Sequence, residues 1–125
     1  MIKGIHHPSF YINNMDEALH FYSDILGFKY SHGINNDKGE PWILFLKVKE
    51  GQYMELFYGG EKRGPEDSKA GYAHLCFEVE DIQGLMKHLE TNKVIPETEV
   101  KKAKDGSLYC FVRDPEGNRV EFKQF

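Results

Sequence analysis

The sequence repeats itself, and the repeat limits its fold more than any single motif does. Shifted by 67 residues, Gly4-Ile5-His6-His7 falls on Gly71-Tyr72-Ala73-His74, and Ile12, Met15, Ala18, Leu19 and Tyr22 fall on Val79, Ile82, Leu85, Met86 and Leu89. Shifted by 66, Gly51-Gln52-Tyr53-Met54-Glu55-Leu56 falls on Gly117-Asn118-Arg119-Val120-Glu121-Phe122, so one residue is lost between, in a loop. Apolar positions, glycines, a His and a Glu thus keep one near-constant register. At 125 residues the chain is expected to form a single domain, 1–125, built from one module at about 1–60 and a second at about 70–125.

Each half reads as a strand, a helix and three strands, an α+β pattern. In the first, Ile5 to Ile12 is strand-like and Met15 to Leu26 is helical, with Met15, Ala18, Leu19, Tyr22, Ile25 and Leu26 on one apolar stripe. Asn14 is its expected cap and Gly27 its left-handed stop. Strands follow near Phe28 to Ser31, Trp42 to Val48 and Gln52 to Tyr58. The second half gives Tyr72 to Val79, a helix capped by Asp81 and running to about Thr91, and strands near Glu97 to Lys101, Ser107 to Arg113 and Arg119 to Lys123. Asn35 to Gly39, Asp105-Gly106 and Asp114 to Asn118 are turn signals.

Side chains alternate across a strand, so residues two apart share a face. Leu75, Phe77 and Val79 form the apolar face of their strand, which turns His74, Cys76 and Glu78 the other way. By the same rule Val120 and Phe122 oppose Glu121, Met54 and Leu56 oppose Glu55, and His7 sides with Ser9 and Tyr11. Each module therefore presents one His and one Glu on the face away from its helix. Brought together, His7, Glu55, His74 and Glu121 would make a two-imidazole, two-carboxylate set that suits Ni, Zn, Co, Mn or Fe. Tyr11, Tyr53, Phe57 and Cys76 share those faces and are the candidate substrate contacts. His6 alternates to the helix side, as a structural or supporting residue. His20 and His88 read as surface, and His32 as lying near a strand end. Pro8 removes a ladder donor, which predicts a strand at an edge or at a module seam.

Composition excludes other classes. Sixteen Lys and Arg against twenty Asp and Glu leave a charge of -4, with no broad basic footprint for nucleic acid. No apolar run approaches the roughly 20 residues that span a bilayer, and the N-terminus lacks a signal-peptide core, so the expected address is cytoplasmic. Two cysteines cannot form a disulfide framework and read as free buried thiols.

Several stretches resemble the glyoxalase, or vicinal-oxygen-chelate, superfamily: Ile5-His6-His7, Ala18 to Phe28, Met54 to Phe57, Ala73 to Val79, and Asp114 to Phe122. The resemblance covers nearly the whole chain. It implies two tandem βαβββ modules forming a U-shaped, partly closed mixed sheet with helices on the outside, a divalent metal (Ni or Zn foremost), and a homodimer. The metal ligands it implies are His7, Glu55, His74 and Glu121, the four already selected by strand alternation.

The His, Glu, His, Glu order resembles bacterial-type glyoxalase I, the lactoylglutathione lyase. What it implies is a lyase or isomerase acting on a small α-hydroxycarbonyl or hemithioacetal. Its proton transfer runs through a metal-bound ene-diolate, with Glu121 as base and Glu55 as the paired alternative. The alternatives are an epimerase, extradiol dioxygenase or thiol transferase of the same superfamily, or a small-molecule binding protein. One departure stands out. Glutathione-type glyoxalases carry a basic residue where this chain has Tyr11, and the Asn expected soon after the second ligand is replaced by Tyr58-Gly59-Gly60. Thiol identity is therefore open. Arg63, Lys101, Lys102, Lys104 and Arg113 are the cations available to an anionic substrate.

Overall fold

The protein is described from a computed structural model, whose described residues are 1, 3–61 and 72–125. Arg63 and Gly71, both used in the sequence reading, lie outside them. The chain divides into two compact units, Met1–Arg63 and Gly64–Phe125.

In the first unit, strand β1 (Ser9–Tyr11) is followed by helix α1 (Met15–Leu19), which continues as a π-helical segment over His20–Ile25. Strands β2 (Lys29–Asn35), β3 (Pro41–Lys49) and β4 (Gln52–Phe57) complete it. Their order in the sheet is β1-β4-β3-β2, with β1 parallel to β4 and the other neighbours antiparallel. The second unit repeats this with β5 (Leu75–Glu78), α2 (Ile82–Thr91), β6 (Lys101–Lys102), β7 (Leu108–Arg113) and β8 (Arg119–Gln124), ordered β5-β8-β7-β6. Again the first strand runs parallel to the last. The fold is thus α+β, two tandem βαβββ modules, each with one mixed four-stranded sheet.

Both expected caps are made: Asn14 Oδ1 accepts from the Glu17 N–H at 3.1 Å, and Asp81 Oδ1 from the Gly84 N–H at 3.0 Å. The first helix departs from the expected regular stripe. Its widened turn closes through the Leu26 N–H donating to the Phe21 carbonyl at 3.0 Å and the Phe28 N–H donating to the Tyr22 carbonyl at 3.0 Å. The extra residue per turn rotates the face, so that Phe21 and Tyr22 are both buried beside Met15, Ala18 and Ile25.

Some strands differ from their expected spans for local reasons. Before β1, the Tyr53 N–H reaches the His6 carbonyl at 3.3 Å and the Glu55 N–H the Pro8 carbonyl at 3.0 Å, but Pro8 has no N–H to return, so the regular ladder starts only at Ser9. β1 is the edge strand that Pro8 predicts. The strand expected over Glu97 to Lys101 is replaced by an irregular approach to β7. There the Glu97 and Thr98 N–H groups share the Phe111 carbonyl, and Thr98 Oγ1 accepts from the Phe111 N–H at 3.1 Å. Only Lys101–Lys102 pairs regularly as β6. β2 is longer than expected because it pairs with β3 as far as Asn35, and His32 therefore lies mid-strand rather than near its end.

One face of each sheet is buried. Leu46, Met54 and Leu56 in the first unit, and Val112, Val120 and Phe122 in the second, are almost fully covered. Burying one such side chain is worth about 1.5–3 kcal/mol. A one-residue slip would turn the whole set outward, so these residues fix the direction of Glu55 and Glu121. Among the described residues no helix is long and apolar enough to cross a membrane.

Candidate metal centre

The two units build the same constellation. In the first, His7 Nε2 lies 3.4 Å from Glu55 Oε2; in the second, His74 Nε2 lies 3.0 Å from Glu121 Oε2. Both carboxylates are mostly buried, with side chains 13% and 12% exposed, while the imidazoles remain more open. Each Glu is flanked across the sheet by equivalent partners: Ser9 and Phe45 beside Glu55, Cys76 and Phe111 beside Glu121. Each Phe holds its imidazole edge to face, His7 against Phe45 at 5.6 Å and 81°, His74 against Phe111 at 5.2 Å and 79°.

The fourth partner differs. Ser9 Oγ donates to Glu55 Oε1 at 2.8 Å, whereas the equivalent Cys76 sets a thiol beside Glu121. Partial burial first, then the Glu121 charge and the hydrogen bond to it, push the Cys76 thiol up to about 11. It remains protonated near neutrality and is no nucleophile there. Cys76 is exposed, contrary to the expected buried thiol, because it lies on the uncovered face of β5; Cys110, on the covered face of β7, is buried.

His6 departs from its expected place on the helix side. It is exposed, stacks on Tyr53 at 5.2 Å and 22°, and sets its Nδ1 2.7 Å from Nδ1 of His7. The pairing lost before β1 frees residues 5–8 from strict alternation. Tyr11 is 74% exposed and leans on Phe57 at 5.3 Å, and Trp42 also meets Phe57, at 6.0 Å and 72°. Phe57 lies two residues from Glu55 on the same face of β4, whereas Lys101, Lys102 and Lys104 are exposed on β6 and the turn after it. Arg113 is committed to Glu97, at 2.7 Å, and to the Gly117 carbonyl, at 2.9 Å. Within a unit no third candidate ligand joins a pair, since among the described residues no group of three or more His, Cys, Asp or Glu could hold an ion.

The sequence reading did not single out Phe45, Phe111 or Arg119, nor the role of Ser9. The signal for three of them was present: the 66-residue shift that aligns the two glutamates also aligns Phe45 with Phe111, and the 67-residue shift aligns Ser9 with Cys76.

A duplicated βαβββ unit with a His on its first strand's approach and a Glu on its last strand defines a class, and comparison with known proteins agrees. The profile described as Glyoxalase/Bleomycin resistance protein/Dioxygenase superfamily matches residues 4–122. The chain belongs to that superfamily. It is 30% identical over 123 residues to the uncharacterised protein YaeR of Escherichia coli (strain K12), covering 96% of this chain and 95% of that one. It is 27% identical over 120 residues to the lactoylglutathione lyase of Haemophilus influenzae, covering 93% and 88%. The crystal structure of a glyoxalase family protein from Enterococcus faecalis superposes with a TM-score of 0.80 at 25% identity, covering 97% of each chain.

Proposed function

We propose that this protein is a metal-dependent lyase or isomerase of the glyoxalase I kind, acting on a small α-hydroxycarbonyl or hemithioacetal. The observation that carries the reading is the recurrence of one His, one Glu and one orienting Phe in both units, on the same strands and the same sheet face. Solvated surface residues have no reason to keep such a match through a divergent repeat.

The donor set fits a first-row divalent ion: imidazole nitrogen and carboxylate oxygen suit Ni or Zn, and less selectively Co, Mn or Fe. His7, Glu55, His74 and Glu121 would hold it. When bound, such an ion supplies Lewis acidity toward two adjacent substrate oxygens. The chain's own residues do the rest. Glu121 takes the proton from one carbon of the substrate and returns it to the neighbouring carbon, with Glu55 the paired alternative. The Ser9 hydroxyl holds the Glu55 carboxylate in place through its hydrogen bond. Tyr11, Phe57 and Trp42 supply an apolar wall beside Glu55.

The test is metal analysis of the purified protein, followed by an isomerase assay with methylglyoxal and several thiols on apo protein given Ni, Zn or Co. Activity restored by metal is expected. Glu121→Gln should lose about 10² to 10⁴ in turnover, the usual contribution of a general base, while retaining some metal. A protein that takes up none of these ions and gains no thermal stability from them would refute the reading.

A further inference from the structure

The repeat is broken at a second point beside the site. Arg119 on β8 occupies the position equivalent to Tyr53 on β4, and it lies two residues from Glu121 on the same face. Its guanidinium sits over the Phe111 ring, 4.0 Å from the centroid. His74 packs against that same ring, at 5.2 Å and 79°. Arg119 Nε lies 3.3 Å from Glu97 Oε1, but it is not aligned to donate and is buried without a hydrogen-bond partner. Glu97 is itself held by Arg113 at 2.7 Å, so one carboxylate faces two guanidinium groups and leaves a positive charge in excess.

A guanidinium fixed by a ring below and a carboxylate at its Nε edge presents its remaining N–H groups as a planar fork. That fork matches a carboxylate. Among the described residues, the ring and ionic contacts of the Arg119 side chain are those with Phe111 and Glu97. In the first unit the equivalent ring, Phe45, is instead covered by His32, stacked at 4.4 Å, and Tyr53 is stacked with His6. The charge is therefore particular to the half that carries Glu121.

We infer that Arg119 is the specificity residue for a carboxylate on the substrate, which it holds beside His74 and Glu121. The inference deepens the function proposed above and rests on it for what the carboxylate is attached to. Phe111 and Glu97 are positioning residues for the guanidinium. The substrate class is then a small carboxylate-bearing carbonyl compound or thiol adduct, recognised at its anion by the second unit.

The test compares N-acetyl-S-methylcysteine with its methyl ester, titrated into the full chain and followed by the NMR resonance of the Arg119 Nε–H. Both metal-free and Zn-loaded protein are used. The acid should bind about tenfold or more tightly than the ester, as a charge-assisted contact does, and should shift that resonance in the metal-free protein as well. Arg119→Gln should erase the preference, and Arg119→Lys should restore part of it. A lost preference in a Gln variant with an unchanged Tm rules out a mere folding defect. Equal binding of acid and ester, no binding of the acid, or an unchanged preference in Arg119→Gln overturns the inference. A preference that persists in a protein without isomerase activity leaves the inference standing while refuting the proposed reaction.

Discussion

Two ring nitrogens, His6 Nδ1 and His7 Nδ1, lie 2.7 Å apart, within reach of a hydrogen bond from one ring to the other. When His7 is the donor, its Nε2 carries the lone pair toward Glu55, which is the form a cation selects; neighbouring groups of this kind fix the tautomer of a ligating imidazole. His6→Ala is expected to weaken Zn or Ni affinity about tenfold to a hundredfold, measured by competition with a chromophoric chelator, and His6→Gln to recover part of it. Unchanged affinity would return His6 to a surface role. Cys110 makes a second prediction. Burial, and then the Glu121 charge, raise its thiol from 9.0 to about 11. Below pH 9 the thiol is protonated in both states. Between about 9 and 11 the unfolded chain loses a proton that the folded chain keeps. Stability therefore falls as pH rises through that window, and Cys110→Ala should flatten the slope seen in urea titrations at stepped pH. At this scale strand alternation was enough to orient Glu55 and Glu121, which lie within β4 and β8. It misplaced His6, because alternation holds only where both strands donate and Pro8 interrupts that exchange.

Elements carry these residues, and the hairpin between β7 and β8 carries most. Asp114 and Asn118 are only 5% and 4% exposed. Asp114 accepts from the Glu116 N–H, the Asn118 N–H and the Asn118 side-chain amide at 2.9, 2.8 and 3.0 Å. Three donors, two of them buried, depend on one carboxylate. Asp114→Ala should cost about 2–3 kcal/mol of stability in urea unfolding, and with it the register that aims Arg119 and Glu121. Gly60 is fixed differently, since a Cβ there would lie 2.7 Å from the Ile12 backbone nitrogen. Gly60→Ala must push apart the Gly60 N–H and the Ile12 carbonyl, which bond at 2.9 Å, and should lower Tm. Composition and periodicity made the elements legible, down to both helix caps. The π-helical segment was not legible, because one inserted residue leaves no mark in an apolar stripe until Phe21 is seen buried. The irregular stretch at Glu97 and Thr98 was equally hidden, since a Thr hydroxyl taking a carbonyl's place reads in sequence as ordinary strand.

For the whole molecule, the proposal needs both units. Each alone offers one nitrogen and one oxygen donor within 3.4 Å, which is half of a transition-metal site. The double substitutions His7→Ala with Glu55→Gln, and His74→Ala with Glu121→Gln, should each abolish stoichiometric metal, as read by mass spectrometry of metal content. Retention of half the metal in either variant would mean that the pairs act separately. The repeat made one His and one Glu in each half legible from the sequence. What it could not show was where the halves had diverged, such as Tyr53 against Arg119 or Ser9 against Cys76, because a difference acquires meaning only beside the ring or carboxylate that it touches. The last of these differences has a practical use. With one thiol exposed on β5 and the other enclosed in the second unit, the unaltered chain offers a single attachment point for a spin label or fluorophore. A methanethiosulfonate reagent applied on the alkaline side would report from the Glu121 half alone, with the Ser9 half silent.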